Sequence, residues 1–277
     1  MKRLVIKTHF FDKKIINTFA VVVAFVSSIT GIVAVVIDIP NNYRWIWLLA
    51  WGLVLLIMYL LIFVYANKKR KTSFKVNGTH VNVFEGDIFT FNNGIKVIPV
   101  NEYFDVQVDD IIISKKSLHG KFILSHCDDV SAFEKLVSNT LKPVGKNSCR
   151  SSSHTYKYDL GSIVEYNDFF LTAFTKFNDK NEAYLLGKEY FYFWGSFWEN
   201  IDKMFSGRII YIPLFGSGIT RFKDYSPTNQ ELLENILLTM RQTGFKNKYH
   251  DASVNIVIYK DNINDIDFYH LKDRVGD

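Results

Sequence analysis

The sequence predicts an α/β domain, a mixed sheet flanked by helices, behind an N-terminal hairpin of two transmembrane helices. Residues 15–37 and 45–67 contain no Asp, Glu, Lys or Arg. Beyond residue 72 the composition is that of a soluble protein, and short apolar runs alternate with segments of helical periodicity. That alternation is the pattern of a sheet covered on both faces.

Each charge-free run is long enough to cover a hydrocarbon core of about 30 Å at about 1.5 Å per residue. Backbone amides cannot stay unpaired in lipid, so both runs are expected to be helices. Trp45, Trp47, Trp51, Tyr43 and Tyr65 gather towards the ends of the second run, where amphipathic rings meet headgroups. A cleaved signal peptide is the competing reading of the first run. Its length, and the second span that follows at once, argue against that reading.

The formal charge of +5 divides unevenly. Residues 1–14 carry +4 and residues 68–71 another +4, Asp38 and Arg44 cancel, and −3 is left for residues 72–277. The basic segments before the first helix and after the second place both on the cytoplasmic side, with the link around Pro40 outside. A multi-pass protein of the cell inner (plasma) membrane is expected, residues 1–71 forming the anchor and 72–277 a cytoplasmic domain. The basic balance belongs to the membrane flanks, so it does not point to nucleic acid. Cys127 and Cys149 stand in unrelated contexts, which argues for a reducing compartment. No set of residues has metal-ligand spacing.

In the first helix Asn17, Thr18, Ser27, Ser28, Thr30 and Gly31 form a small and hydroxylated face. Such a face either packs on the second helix of the same chain or mediates assembly between chains.

In the soluble part, Thr72–Thr79 reads as a polar entry and His80–Phe84 as a strand. Asn92-Asn93-Gly94 is a turn signal, and Ile95–Val100 a buried strand. Val130–Leu141 reads as a helix and Lys142–Tyr156, with Ser151 to Ser153, as a loop. A buried strand at Phe169–Phe174, an aromatic-rich helix at Glu189–Phe205 and a strand at Arg208–Pro213 follow. Pro227–Thr243 is an amphipathic helix started by Ser226-Pro227, and Ala252–Tyr259 the last strand.

The segment most loaded with chemistry is Gly216-Ser217-Gly218, directly after an apolar strand. Two glycines allow positive φ and close backbone approach, so successive amides can converge on an anion. Ser217 or Thr220 could add a hydroxyl, and the next helix N-terminus would favour negative charge. A plain tight turn is the alternative. The segment is neither a Walker A nor a Rossmann fingerprint.

Gly86-Asp87-Ile88, a buried strand ending at Asn101 and the late glycine loop come in the order seen in macro domains, which the chain resembles over roughly residues 78–270. Residues 97–105 (VIPVNEYFD), 108–122 (VDDIIISKKSLHGKF) and 212–222 (IPLFGSGITRF) are similar more specifically to the macro-like domain of Thoeris antiphage effectors. The hairpin matches the membrane-bound type. The resemblance implies that Asp87, with Ile88, reads the adenine, and that Phe215, Gly216, Ser217, Gly218 and Ile219 wrap the diphosphate and distal ribose. Asp87 could instead be a simple cap carboxylate. Asn101, Glu102, His119 and Gly120 would recognise an added group, with His119 otherwise an ordinary surface histidine. Arg221 would pair with a phosphate or stand solvated.

Hydrolytic macro domains carry an Asn-Ala-Ala-Asn stretch and a Gly-Gly-Gly loop. Here Pro99–Glu102 and Ser114–Gly120 occupy those places, so the expectation is a sensor, not an enzyme. No cofactor is implied. The expected ligand is an ADP-ribose-type nucleotide, a histidine–ADP-ribose conjugate, made from NAD by a partner TIR-domain protein. Binding would drive a homo-oligomer and damage to the lipid bilayer. The rival expectations are a membrane-anchored hydrolase of an ADP-ribose derivative and a constitutive scaffold.

Overall fold

The computed structural model describes residues 6–36, 43–150, 152, 154–178, 180–246 and 252–276. Lys2, Arg3, the interhelical link with Asp38 and Pro40, Ser151 and Ser153 lie outside them. The chain divides into two compact units, Met1–Arg70 with Asp267–Tyr269, and Lys71–Ile266 with His270–Asp277.

The first unit holds helices α1 (Lys13–Val36) and α2 (Arg44–Lys68). Both are long and apolar enough to cross a membrane, at about 36 and 38 Å. Trp45, Leu48 and Leu61 of α2 lie exposed. The hairpin is pinned at one end. Phe10 and Phe19 pack edge-on against Tyr59, and Lys7 N and Thr8 N donate to Asn67 Oδ1 at 2.7 and 3.0 Å. Lys14 Nζ donates to the Tyr269 carbonyl at 2.6 Å.

Packing of the small-residue face on α2 is not what the structure shows. Ser27, Ser28 and Thr30 are exposed, and a Cβ on Gly31 would meet nothing within 4 Å. Ser28 and Thr30 instead donate to carbonyls of their own helix, Ala24 and Val26.

The second unit contains strands β1 (Lys71–Val76), β2 (Thr79–Glu85) and β3 (Ile95–Asn101), then helices α3 (Leu118–Ser125) and α4 (Val130–Thr140). A small hairpin of β4 (Gly145–Lys146) and β5 (Tyr156–Lys157) follows, then β6 (Ile163–Tyr166), β7 (Phe169–Phe177), β8 (Ala183–Leu185) and helix α5 (Gly187–Met204). Strands β9 (Ile210–Pro213) and β10 (Arg221–Phe222), helix α6 (Asn229–Gln242), β11 (Ser253–Ile258) and α7 (Leu271–Val275) complete it.

Among the described residues the main sheet runs β1-β2-β11-β9-β3-β7-β8-β10, with β6 antiparallel to β7. Strands β2, β11, β9, β3 and β7 are mutually parallel, so their carboxyl ends share one edge. Successive side chains of a strand face opposite ways. Ile98 and Val100 of β3 join Phe122 of α3 and Phe133 of α4 in one core layer. On the opposite face Phe174 of β7 meets Phe193 of α5 at 4.8 Å. Helix α5 buries Tyr190, Phe193, Trp194, Phe197, Trp198 and Ile201, a stripe at helical spacing. Each such ring contributes about 2–3 kcal/mol of transfer free energy.

Three local expectations change. Residues 72–76, expected as a polar entry, form β1, paired antiparallel with β2 through Lys71↔Phe84 to Val76↔Thr79; its alternation of exposed and buried residues is short and rich in Lys, Ser and Thr. Within 142–156 the chain makes the β4–β5 hairpin. Helix α6 starts at Asn229, not Pro227: Thr228 accepts from Glu231 N while Glu231 accepts from Thr228 N at 2.7 Å, a capping box.

Candidate ligand-binding cleft

A cleft of about 680 Å³ opens along the shared carboxyl edge of the parallel strands, the place where an open α/β sheet exposes loops and helix ends. Strand order sets the sequence of groups along it. Asp87 follows β2, and Tyr259, Asp261 and Asn262 follow β11, at one end. Pro213 to Thr220 follow β9 in the middle. Asn101 at the end of β3, Thr175 and Phe177 of β7 and Ala183 of β8 form the far end. Ser114 to His119, with Lys121, make one lip.

The middle is a backbone loop. Gly216 has φ +90°, and a Cβ there would meet Phe222 at 3.1 Å and Leu232 at 3.2 Å; both conformation and space require glycine. A Cβ on Gly218 would meet nothing within 4 Å. Phe215 anchors the loop from behind: its ring is buried among Phe174, Phe193 and Trp194, 5.0 to 5.6 Å between centroids. Phe215 therefore borders the cleft without offering an exposed ring. Ser217 Oγ donates to the Leu214 carbonyl at 2.7 Å, while Ile219 is exposed at the mouth. The expected help from the following helix does not materialise. Residues 221–222 form β10 first, and the α6 terminus is closed by its own capping box. The helix that starts at the cleft is α3, whose Ser117 cap accepts from Gly120 N at 2.9 Å.

Asp87 lines the cleft and also caps a short 3-10 turn, Oδ1 accepting from Phe89 N at 3.1 Å. A cap carboxylate and a place in the cleft coexist in one geometry. Ile88, buried, lines the cleft beside it.

The far end is held by a buried polar network. Asn101 Oδ1 accepts from Tyr103 N and Asp105 N at 3.0 and 3.3 Å, and its Nδ2 donates to Asp105 at 2.9 Å. These bonds hold Phe104 at φ +51°, a conformation costing about 1–3 kcal/mol for such a residue. Asp105, fully buried, is gripped by the Arg150 guanidinium at 2.8 and 3.3 Å and by Ser152 Oγ at 2.7 Å. Arg150 stacks on Tyr103, 3.6 Å from its ring centre, and donates to Asn181. Arg150 escaped the sequence reading because it sits in what looks like a solvated serine-rich loop.

The remaining expected residues divide. His119 lines the cleft but is buried, not a surface histidine, and its Nε2 has no hydrogen-bond partner among the described residues. Burial pushes its imidazole down to about 4, against the opposing charge of Asp105 and the pull of the Asp105 backbone carbonyl, with His154 lowering it further. Gly120 is a packing glycine: a Cβ would fall 2.2 Å from the Ser114 carbonyl oxygen. Glu102 is turned into the protein, its carboxylate accepting from Phe177 N at 3.2 Å and lying 3.6 Å from Lys157. Burial raises its pKa, against the Phe177 N–H and Lys157. Arg221 is exposed on β10 and pairs with Glu182 at 3.3 Å. Glu102, Gly120 and Arg221 are thus not among the cleft residues. Lys115, Lys116 and Lys121, which border the cleft, were identified only as part of a motif.

A mixed sheet with helices on both faces, and a glycine loop in a cleft at the parallel strand ends, defines a macro-domain-like protein. The chain belongs to the family of the Thoeris protein ThsA macro domain, which matches residues 81–259. It is 37% identical over 228 residues to the Thoeris protein ThsA of Bacillus amyloliquefaciens (strain Y2), spanning 80% of this chain and 75% of that protein. Among solved structures it is similar to a mutant Oceanobacillus iheyensis macrodomain, at 14% identity and TM-score 0.47, covering 74% of this chain and 96% of that one. Another similar structure is Thermosipho africanus DarTG in complex with ADP-ribose, at 16% identity and TM-score 0.41, covering 69% and 44%.

Proposed function

We propose that this protein is a membrane-anchored antiphage defence effector whose macro domain senses an NAD-derived, ADP-ribose-type signal. The observation that carries this reading is the ordered cleft: an acidic and aromatic end at Asp87 and Tyr259, a backbone loop able to cradle a diphosphate, and a far end backed by the Asn101–Asp105–Arg150 network. Family membership supplies the defence context. The signal is a histidine–ADP-ribose conjugate produced by a partner TIR-domain protein. The basic flanks of the hairpin set the N-terminus and the macro domain on the cytoplasmic side of the plasma membrane. Ligand binding favours an associating state through differential affinity, and the uncovered small-residue face of α1 supports helix contacts between chains. Assembly then disrupts the bilayer.

A sensor is favoured over a hydrolase by the fate of the candidate carboxylates. Asp109 accepts from Ile111 N and Ile112 N, and Asp110 from Lys115 N, which lowers both pKa values. Glu102 points away, and Asp87 is engaged as a cap. The test is reconstitution in liposomes loaded with a fluorescent dye. Leakage should follow addition of the nucleotide, which should be recovered intact by mass spectrometry. Leakage without nucleotide, or conversion of the nucleotide, would overturn the reading.

A further inference from the structure

The reading of α1 and α2 as membrane spans, on which this inference rests, fixes the depth of whatever packs beside them. The stretch before α1 folds back along the hairpin. Phe10 meets Tyr59 and Phe63 of α2, with ring centroids 4.9 and 5.2 Å apart. Tyr59 in turn meets Phe19, on the second turn of α1, at 5.2 Å. Tyr59 and Phe63 precede Lys68, the end of α2, by about 13.5 and 7.5 Å along the helix axis. Phe10 therefore lies below the basic end of the hairpin, at a depth where both helices are apolar. Phe11 leans edge-on against Phe10 at 5.0 Å and is 79% exposed, and Ile6 is 67% exposed. Beside a transmembrane hairpin, side chains turned outward at that depth face acyl chains.

A chain entering that depth has to bring its own hydrogen-bond partners, because lipid offers none. Asn67 supplies two of them. It is the polar residue that ends the charge-free run, and it is buried. Its Nδ2 donates to the Phe63 carbonyl at 2.9 Å, which leaves Oδ1 to accept from Lys7 N and Thr8 N. The Tyr59 hydroxyl donates to the Phe10 carbonyl. Asp12 N donates to the His9 carbonyl at 3.1 Å and closes the turn, and Asp12 Oδ1 accepts from Lys14 N and Ile15 N at 2.9 and 3.3 Å. Lys13, at the start of α1, and Lys68, at the end of α2, are both exposed. These two cations mark the level of the headgroups.

We propose that residues 6–12 form a re-entrant wedge, held on α2 by Asn67 and Tyr59, that seats Ile6 and Phe11 among the acyl chains of the cytoplasmic leaflet while Lys13 and Lys68 meet its headgroup phosphates. The partner of this surface is the lipid itself. The turn is thereby a third apolar element of the anchor, confined to one leaflet.

The experiment attaches a nitroxide label to the full-length protein in phosphatidylcholine–phosphatidylglycerol vesicles. The label is carried by Phe11→Cys, Lys13→Cys or Leu53→Cys, each in a Cys127→Ser, Cys149→Ser background. Leu53 is exposed within the second span and serves as the control for the anchor. Collisions of the label with oxygen, which concentrates among acyl chains, are compared with those of a water-soluble nickel chelate. Oxygen collisions should exceed chelate collisions at positions 11 and 53, and the reverse should hold at 13. Asn67→Leu, which removes the acceptor for Lys7 N and Thr8 N, should shift position 11 towards the chelate and leave 53 unchanged. Chelate access at 11 with oxygen access at 53 would overturn this proposal and leave the anchor reading intact. So would shielding of 11 from both reagents with spin–spin broadening, the mark of a second chain seated on Phe11, or an unchanged depth at 11 in Asn67→Leu. Chelate access at 53 would bring down the membrane reading itself, and this inference with it.

Discussion

The loop at residues 216–220 lines the cleft, and the turn at residues 101–105 backs its far end through Asn101, yet they are held in opposite ways. The loop has one anchor, the Phe215 ring in its aromatic cage, and beyond it few internal bonds. Gly218 and Ile219 are exposed. The turn is buried throughout, its strained Phe104 held by Asn101 and its carboxylate by an arginine 45 residues away in sequence. A loop of backbone amides can adapt to a diphosphate that every nucleotide of this kind carries. A rigid wall with fixed donors and acceptors can discriminate among what is attached beyond it. Under the proposed reading, the contrast would give general affinity to one side and selectivity to the other.

The largest test of this contrast removes the clamp. Arg150→Ala leaves Asp105 buried without its cation, and thermal and urea unfolding should show a loss of about 3–5 kcal/mol. A loss below about 1 kcal/mol would mean that the wall does not depend on that pair.

The next test reads pH. The folded imidazole of His119 takes a proton only near pH 4, while the unfolded one does so near 6.5. More protons are bound by the unfolded state in that window, so stability rises with pH across it. The contribution is fully present above 6.5 and is lost as pH falls towards 4, by at most about 3 kcal/mol. Stability curves of His119→Phe should lack that slope; a slope equal to wild type would place the titration elsewhere.

On the loop side, Gly216→Ala forces a side chain into positive φ and against Phe222 and Leu232. It should cost about 1–2 kcal/mol of stability and weaken ADP and ADP-ribose together, as calorimetry would show. The smallest effect is expected one step further on. Gly218→Ala enters open space and should change stability by less than about 0.5 kcal/mol, so any loss of nucleotide affinity there would report backbone approach alone. Equal destabilisation by the two substitutions would erase the distinction between anchored and free parts of the loop.

The order of strands and helices could be read before the structure because it rests on local signals. Apolar runs at 95–100, 169–174 and 252–259, and helical spacing in α5 and α6, report burial on their own. The glycine loop was equally visible, since a pair of glycines after a buried strand marks a place where backbone must come close. Strands β1, β6, β8 and β10, the β4–β5 hairpin and helices α3 and α7 were not read from the sequence, because each is short or polar and carries little periodicity of its own. The site residues split along the same line. Asp87 and residues 215–220 reached the cleft, while Glu102 turned to a buried backbone N–H and Arg221 to a surface ion pair with Glu182.

The sequence by itself determined the two charge-free helices, the charge asymmetry of their flanks, the α/β alternation and the glycine loop, because periodicity, charge and φ preferences act over a few residues. Only the tertiary structure decided that Arg150 reaches Asp105, that Glu102 turns inward and that His119 is buried with one nitrogen unmet. Those outcomes depend on which distant groups compete for each hydrogen bond once water is excluded, and that competition exists only in the folded chain.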